Sequence, residues 1–315
     1  MKLRSLLIGV AMAAVAAMAT PSFAADWKPS GPLKLQIGFG AGGSTDTVGR
    51  VLAKVMEEQT GWNVVAENKP GGGGVAMFTG IAKMPPRGSV IGMGVNMPIM
   101  VNLVKRGADL GFDLDSFDYV GTVSNIELAL VAAKDAPFDD LEGMIAYAKE
   151  KGTMPIAFDA APQKLLMGVT TRTTEAKFNM VSTKSGAESM KLILGGQVLA
   201  AFSSGEYIPY IESGDMKVIA SANADRLSAS KEAKTFVESG VNAYVSPVFY
   251  LAMTAGTDAE ALEAIRTAFD NALKSDEVIE IVKNAVKNTP NNLGGEGTKK
   301  MLIDGVENVK VLFAE

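Results

Sequence analysis

The fold is decided by one run near the start of the chain, which reads Leu33-Lys-Leu-Gln-Ile-Gly-Phe-Gly-Ala-Gly-Gly-Ser-Thr-Asp46. Apolar and polar residues alternate over its first five positions, which is the pattern of a half-buried β-strand. Glycines follow at a density that predicts a tight turn. Apolar residues then recur at helical spacing until Gly61, the expected helix end. The run therefore predicts a strand, a glycine-rich loop and a helix that begins directly after the loop.

The same alternation continues along the chain. A second glycine cluster, Gly71–Gly74, precedes a predicted short helix at Val75–Ala82. Further strands are predicted at Asn63–Ala66, Val90–Val95, Tyr119–Val123, Leu128–Ala133, Met154–Phe158, Val198–Phe202, Met216–Ala220 and Val248–Met253. Further helices are predicted around Leu141–Ala148, Leu165–Val169, Met190–Leu194, Ala259–Leu273, Glu277–Val286 and Thr298–Leu312. Strands that alternate with helices predict an α/β protein, and the first three strands predict a parallel sheet.

No long linker or internal repeat interrupts this alternation. We therefore expect two α/β lobes, between which the chain crosses near Thr122–Leu130 and again near Val245–Leu251. The length of 315 residues fits about two domains. The C-terminal helices are expected to return to the first lobe.

The N-terminus has the features of a secretory signal peptide. Lys2 and Arg4 precede an apolar run, Leu6–Ala19, and Ser22-Phe-Ala24 supplies small residues at the usual cleavage positions. The run is short for a membrane span of about 20 residues. We expect cleavage after Ala24, which removes two positive charges and changes the net charge from −5 to −7. The mature protein is expected to be exported and soluble.

Composition excludes several classes of protein. The chain has no Cys and no His, so it holds no disulfide, Cys/His zinc site, thiolate nucleophile or Ser-His-Asp triad. Lys and Arg number 30 against 35 Asp and Glu, a balance that argues against nucleic-acid binding. An active site of Asp, Glu and Lys, or a metal bound by oxygen ligands, stays open at this point.

The first glycine loop admits two functional interpretations. Gly38–Gly43 fits the G-x-G-x-x-G dinucleotide pattern, and Glu67 closes the next strand, where that fold places its ribose-binding acid. An exported protein, however, meets no regular supply of NAD. The favoured interpretation is an anion site, in which free N–H groups at a helix N-terminus and nearby hydroxyl groups receive a carboxylate. In the structural alternative, Ser44 or Thr45 is only the helix N-cap, a role that is compatible with ligand contact.

Other candidate sites are less specific. Met93, Met97 and Met100 follow no metal-ligand spacing and are interpreted as core or pocket-wall residues. The acidic residues around Asp113–Asp118 lack the ordered spacing of a calcium loop. No pair of a nucleophile and a base is apparent. We therefore expect no metal, no cofactor and no enzymatic activity.

Several motifs, in order and at matching spacing, resemble the tripartite tricarboxylate transporter receptor family, the TctC-like or Bug extracytoplasmic solute-binding proteins. The resemblance covers essentially the whole mature chain. Its motifs are Phe39–Asp46, Val65–Gly74, Lys184, Leu194–Val198, Gly214–Val218 and Ala255–Thr257.

This resemblance implies a type II periplasmic-binding-protein-like fold, with two α/β lobes around a ligand cleft joined by two crossover strands. Lobe 1 is expected to comprise residues 25–125 and 248–315, and lobe 2 residues 126–247, after a signal peptide at 1–24. It further implies a periplasmic receptor, expected to be a monomer, that captures a small organic carboxylate. A membrane permease of the tripartite tricarboxylate type would receive the ligand.

The resemblance also implies which residues contact the ligand. In the first lobe these are Gly42, Gly43, Ser44, Thr45 and Asp46. In the second lobe the family's small-residue loop is replaced by Phe158–Lys164, where Asp159 would repel an anion unless a cation lies beside it. The expected second-lobe contacts are Gln163, Lys164, Thr183, Lys184, Ser203 and Ser204.

Two other functions stay open. The protein could present the same ligand to a membrane sensor kinase instead of a permease. It could also be an exported hydrolase or lyase whose chemistry depends on Asp, Glu or Lys.

Overall fold

A computed structural model describes residues 27–313 of the chain. The predicted signal peptide, residues 1–24, lies outside the described residues. Between residues 27 and 313, no helix combines the length and the apolar character needed to cross a membrane.

The first part of the chain alternates strictly between strands and helices. Its elements are β1 Leu33–Ile37, α1 Ser44–Thr60, β2 Val64–Asn68, α2 Val75–Ile81, β3 Val90–Val95, α3 Asn96–Arg106 and β4 Phe117–Asn125. Of the two polar residues of β1, Lys34 is exposed but Gln36 is buried together with the apolar positions of the strand. α1 ends at Gly61, which adopts a left-handed conformation (φ 71°) that glycine takes without steric cost.

The middle of the chain builds a second set of elements. They are β5 Ala129–Ala133, α4 Leu141–Lys151, β6 Met154–Phe158, α5 Ala161–Thr174, β7 Phe178–Ser182, α6 Gly186–Leu194, β8 Ala200–Ser203, α7 Ile208–Glu212 and β9 Met216–Ser221. The final elements are β10 Val248–Thr254, α8 Ala259–Leu273, α9 Asp276–Val286 and α10 Gly294–Val309. A short 3-10 helix at Lys310–Phe313 follows α10.

These strands form two five-stranded sheets, with the orders β2-β1-β3-β10-β4 and β7-β6-β8-β5-β9. We call the first sheet with its packed helices the first unit, and the second sheet with its helices the second unit. β1 pairs in parallel with β2 and β3, which confirms the parallel arrangement predicted for the first three strands. β10 pairs antiparallel with β3 and β4. The α/β architecture predicted from the sequence is therefore confirmed.

The C-terminal helices pack mainly on the first unit. α8 and α9 contact α1, and α10 contacts β4 and α3. The 3-10 helix after α10 also contacts α5 of the second unit. The end of the chain therefore joins the two units.

Three elements were not predicted from the sequence: α3, β7 and α7. α3 begins at Asn96, directly after β3, with no turn residue between them. β7 lies at the edge of the second sheet and is partly exposed, so it lacks a clear apolar alternation. α7 has only five residues. Smaller differences are a β8 that begins at Ala200 instead of Val198, and an α10 that begins at Gly294 instead of Thr298.

The two units share part of their hydrophobic core. One buried cluster contains Phe78 of α2 and Tyr250 of β10, in the first unit, together with Phe202 of β8, in the second. The rings of Phe78 and Tyr250 stack with their centroids 5.2 Å apart. Separate clusters lie beneath α1, α8 and α9, and beneath α6 and α7. Continuous apolar packing across the two units holds them close together.

Two chain segments connect the sheets, residues 126–128 and 222–247. The segments are tied together where they run side by side, because the Ile126 N–H donates to the Pro247 carbonyl at 2.9 Å. The Asn223 side chain adds three bonds. It accepts from the Leu128 N–H at 2.6 Å and donates to the carbonyls of Ile126 (3.0 Å) and Val245 (3.3 Å). One amide side chain thus joins both connections.

Candidate functional site

A small cavity lies between the two units, next to the start of α1. Loops that follow parallel strands of both sheets contribute to it: residues 38–43 follow β1, residues 159–160 follow β6, and residues 204–206 follow β8. Ligands of open α/β sheets commonly bind at this edge, outside the carboxyl ends of the strands. The cavity has a volume of about 40 Å³. Its apolar wall includes Phe39, Val95, Met97, Leu128 and Phe249.

The start of α1 forms one wall of the cavity. Gly43 is the N-cap residue, in an extended conformation and with no side-chain cap, so the alternative role of Ser44 or Thr45 as the N-cap is wrong. Ser44 and Thr45 occupy the first turn and line the cavity, with exposed fractions of 7% and 4%. Among the described residues, no hydrogen bond involves either hydroxyl group. Both hydroxyls are therefore available to a bound solute.

Asp46 supports the loop and is not among the residues that line the cavity. Its carboxylate accepts a hydrogen bond from the Gly42 N–H at 2.9 Å, from Asn68 Nδ2 at 2.7 Å and from Arg50 Nε at 2.8 Å. Gly42 adopts φ 81° and does not line the cavity either. Asp46 therefore fixes the loop that presents Gly43, Ser44 and Thr45.

The glycine loop touches the second unit through its backbone. The Gly40 N–H donates to the Lys184 carbonyl at 2.9 Å. A Cβ on Gly40 would lie 3.1 Å from that carbonyl oxygen, and a Cβ on Gly43 would lie 3.1 Å from Ser185 Cβ. Both distances are tighter than ordinary van der Waals contact, so glycine at these two positions permits the close approach of the two units.

The carboxylate of Glu206 lies at the N-terminus of α1. Its Oε1 accepts a hydrogen bond from the Ser44 N–H at 2.6 Å, across the two units. Its Oε2 accepts from the Ser203 hydroxyl at 2.8 Å and from the N–H groups of Ser204 and Gly205 at 3.1 Å each. A Cβ on Gly186 would lie 2.5 Å from Oε2, so the glycine at the start of α6 makes room for this carboxylate.

Asp159 is a second carboxylate in the cavity wall. Its Oδ1 accepts a hydrogen bond from Gln163 Nε2 at 2.7 Å, and Gln163 Oε1 accepts from the Asp159 N–H at 2.9 Å. Burial and, to a smaller extent, the negative charge of Glu206 raise the pKa of Asp159 to about 7, against the opposing effect of the Gln163 hydrogen bond. Asp159 is therefore partly protonated at neutral pH.

The predicted second-lobe residues lie in different places. Gln163 and Ser204 line the cavity, whereas Lys164 and Lys184 are exposed and do not. Ser203 is buried behind the cavity and holds Glu206. Thr183 is also buried, and its hydroxyl bonds to the Phe158 carbonyl (3.2 Å) and the Ser189 hydroxyl (2.8 Å). Among the described lining residues, no lysine or arginine is present.

Glu206 was not predicted from the sequence as a site residue. Glu206 follows Ser203-Ser204-Gly205 at the end of a buried strand. A carboxylate at such a position is within reach of several backbone N–H groups, and this is the feature of the sequence that could have identified it. The partner at the start of α1 could not be found in this way, because it lies 162 positions away in the chain. Ser185 and Gly186, at the start of α6, also line the cavity and were not predicted.

A family model and a related protein both match most of this chain. Residues 48–314 match the model of the "Tripartite tricarboxylate transporter family receptor". One relative, from Cupriavidus necator, is named "UPF0065 protein in gbd 5'region". It is 30% identical over 272 residues, which are 84% of this chain and 82% of the relative.

Two solved structures share the fold. The periplasmic binding protein BugD superposes with a TM-score of 0.81 at 22% identity, over 91% of this chain and 99% of BugD. MatC from Rhodopseudomonas palustris, solved with bound malate, gives a TM-score of 0.82 at 18% identity, over 91% of this chain and 100% of MatC. At this level of identity the similarity concerns the fold.

Proposed function

This chain belongs to the tripartite tricarboxylate transporter receptor family, and we propose that it captures a small carboxylate-bearing solute between its two units and delivers it to a membrane permease. The observation that carries the proposal is the cavity between the units, at which the start of α1 presents two unpaired hydroxyl groups. MatC, which shares the fold, was solved with malate, a solute of the proposed class.

Solute entry requires the units to separate. The cavity of about 40 Å³ is far smaller than the roughly 150 Å³ that holds a benzene-sized guest. The contacts of Gly40 with Lys184 and of Ser44 with Glu206 join the two units. In the proposed cycle these contacts break on opening and form again around the solute. The solute favours closure because it contacts both units only in the closed form.

Export and the absence of catalysis are part of the same proposal. Proteins of this family are periplasmic binding proteins, and residues 1–24 would direct this chain to the periplasm as a cleaved signal peptide. A sequence without Cys or His fits a protein that binds its solute without chemical conversion. Residues 25–125 with 248–315 would form one lobe and residues 126–247 the other.

A thermal-shift panel on the mature protein tests the proposal. The panel contains dicarboxylates, tricarboxylates, aromatic acids and amino acids, each in large excess. A ligand at one hundred times its Kd should stabilise the protein by about 2.7 kcal/mol. If no small acid raises the melting temperature, the proposed receptor function is wrong.

Delivery to the permease needs a separate experiment. Proteoliposomes that contain a tripartite permease from the same genome should accumulate the radiolabelled solute only when the receptor is added outside. Uptake that is equally fast without the receptor would contradict this step.

A further inference from the structure

The charge of the cavity wall is unusual for a site that takes only anions. Its described lining residues include two carboxylates, Asp159 and Glu206, and neither lysine nor arginine. The lysines nearest in sequence to these loops, Lys164 and Lys184, are exposed and do not line the cavity. A dicarboxylate placed here would add its second charge next to two acidic groups in a largely apolar cavity. Like charges at short range in such surroundings repel strongly.

Glu206 also occupies part of the expected anion site. Its Oε1 lies 2.6 Å from the Ser44 N–H, the backbone donor with which α1 begins. Three further donors hold its Oε2, and Gly186 leaves room for it. A carboxylate held by four donors and seated against a glycine is a fixed part of the wall. A solute carboxylate cannot use the Ser44 N–H while Glu206 accepts from it.

Each carboxylate, in contrast, has capacity for a donor from the solute. No described side chain donates to Asp159 Oδ2. Glu206 Oε1 accepts a single hydrogen bond and has a second acceptor position, whereas Oε2 is filled by three donors. Thr45 lines the same cavity with an exposed fraction of 4%, and its hydroxyl makes no hydrogen bond within the described chain. The cavity wall thus combines negatively charged acceptors with hydroxyl donors that are unpaired within the described chain.

From the proposed receptor function, on which this step rests, we infer that the solute carries a primary or secondary ammonium group between Asp159 and Glu206, in addition to its carboxylate. The carboxylate lies against the hydroxyls of Ser44 and Thr45 and the first-turn N–H of Thr45, which has no partner within the helix. The apolar wall around Phe39 and Phe249 contacts the rest of the solute. The solute class is therefore that of amino acids rather than of di- or tricarboxylates.

Matched pairs of solutes test this inference. Each α-amino acid is compared with the α-hydroxy acid of the same skeleton: aspartate with malate, leucine with 2-hydroxyisocaproate, and phenylalanine with 3-phenyllactate. Adipate is added as a dicarboxylate without a nitrogen. Isothermal titration calorimetry on the mature protein should show that at least one amino acid binds ten times more tightly, or better, than its hydroxy acid.

Variants assign the preference to the two carboxylates. Glu206→Gln and Asp159→Asn should each weaken binding of that amino acid at least tenfold, while the weaker binding of the hydroxy acid stays equal or improves. Glu212→Gln is the control, because Glu212 is exposed on α7 and does not line the cavity, and the change removes the same charge. Circular dichroism and melting temperature confirm that each variant is folded.

The outcomes are distinct. If a hydroxy acid or adipate binds more tightly than every amino acid, the inference is wrong and the receptor function stands. If an amino acid binds best but neither cavity variant changes its affinity, the assignment to Asp159 and Glu206 is overturned. If no solute in this panel binds but another small acid raises the melting temperature, the inference alone is wrong. If neither panel contains a solute that binds, the proposed function itself fails.

Discussion

Asp159 is the residue whose charge depends most directly on the fold. Burial comes first among the causes that raise its pKa to about 7 from an ordinary value of 3.8, and the charge of Glu206, on the loop after β8, comes second. The hydrogen bond from the amide of Gln163, a residue of α5, lowers the pKa of Asp159. A carboxyl group that is more basic in the folded than in the unfolded chain makes stability depend on pH.

The sign of this dependence follows from proton binding. Between about pH 4 and pH 7 the folded chain keeps the Asp159 proton, whereas the unfolded chain has lost it. The contribution of Asp159 to the free energy of unfolding is therefore fully present below about pH 4 and is lost as the pH rises through 7. Asparagine does not titrate, so Asp159→Asn should not lose this stability. The melting temperature of the variant minus that of the natural protein should therefore increase as the pH rises from 4 to 8.

Melting curves at each pH measure the difference between the two proteins. Asp225→Asn, an exposed replacement of the same kind, should show no such trend. Parallel curves for Asp159→Asn and the natural protein would mean that Asp159 titrates normally.

Gly43 gives a second prediction at the scale of a residue. A Cβ there would lie 3.1 Å from Ser185 Cβ and 3.5 Å from Glu206 Oε1, so the larger valine side chain would prevent the units from closing. We expect Gly43→Val to weaken solute binding at least tenfold while the protein stays folded. Calorimetry with the solute found in the panel measures the affinity.

Gly31→Val is the matched control for Gly43→Val. Gly31 is exposed, and a Cβ there would meet no atom within 4 Å. Full affinity in Gly43→Val would contradict the proposed closure.

The two glycine loops show what a short motif can and cannot predict. Gly38–Gly43 fits a dinucleotide pattern, but tertiary packing explains why Gly38 is glycine, because its Cβ would lie 2.6 Å from the Cα of Gly74. The loops were predicted from the glycines themselves. Their contact with each other, and with Lys184 and Ser185, depends on the tertiary fold and has no local signal.

At the scale of elements, prediction was accurate where the apolar period was unbroken. β1, β3, β6 and α8 have the bounds expected from the sequence. α3 was missed because it continues directly from a buried strand through a run of apolar residues, in which strand and helix cannot be separated by period alone. The sequence therefore predicted no helix or strand for Met97 and Pro98, which line the cavity.

The two connections between the sheets are held together largely by the hydrogen bonds of one side chain, that of Asn223. Asn223→Ala removes three hydrogen bonds and leaves the Leu128 N–H without its acceptor. An unsatisfied buried donor costs about 1–3 kcal/mol, so we expect a loss of that size in the free energy of unfolding. Urea denaturation measures it.

Asn242→Ala is the control for this change. Asn242 is exposed, and its replacement should alter stability by less than about 0.5 kcal/mol. Equal stability of the two variants would mean that Asn223 does not hold the connections.

At the scale of the whole molecule, the fit between the units depends on Gly205. A Cβ at this position would overlap the carbonyl oxygen of Ala285, in α9 of the first unit. Because the obstacle is backbone, it cannot move aside as a side chain could. We expect Gly205→Ala to hold the units apart, which should increase the radius of gyration and weaken solute binding at least tenfold.

Small-angle X-ray scattering and calorimetry measure these two effects. Gly80→Ala is the control, because Gly80 lies exposed in α2 and a Cβ there meets no atom within 4 Å. If Gly205→Ala keeps the radius of gyration and the solute affinity of the natural protein, the backbone of α9 can shift to accommodate the added Cβ.

The sequence predicted the architecture of the whole molecule better than its site. Alternating strands and helices, together with the ordered motifs, were sufficient for the α/β fold and the family. The acidic character of the cavity was not predicted, because it depends on Glu206 of the second unit meeting Ser44 of the first. Pairings between distant parts of a chain are set by the packing of the units and not by any local pattern.

The hydrogen bond from the Gly40 N–H to the Lys184 carbonyl joins main-chain atoms only. Mutation can replace the side chains around the cavity, one after another, without removing this bond, provided that position 40 stays glycine. Solute preference and closure can therefore diverge independently during evolution. A gene duplicate of this protein could acquire a new solute through a few changes at cavity positions such as 159 and 163, while it inherits a working closing movement from its ancestor.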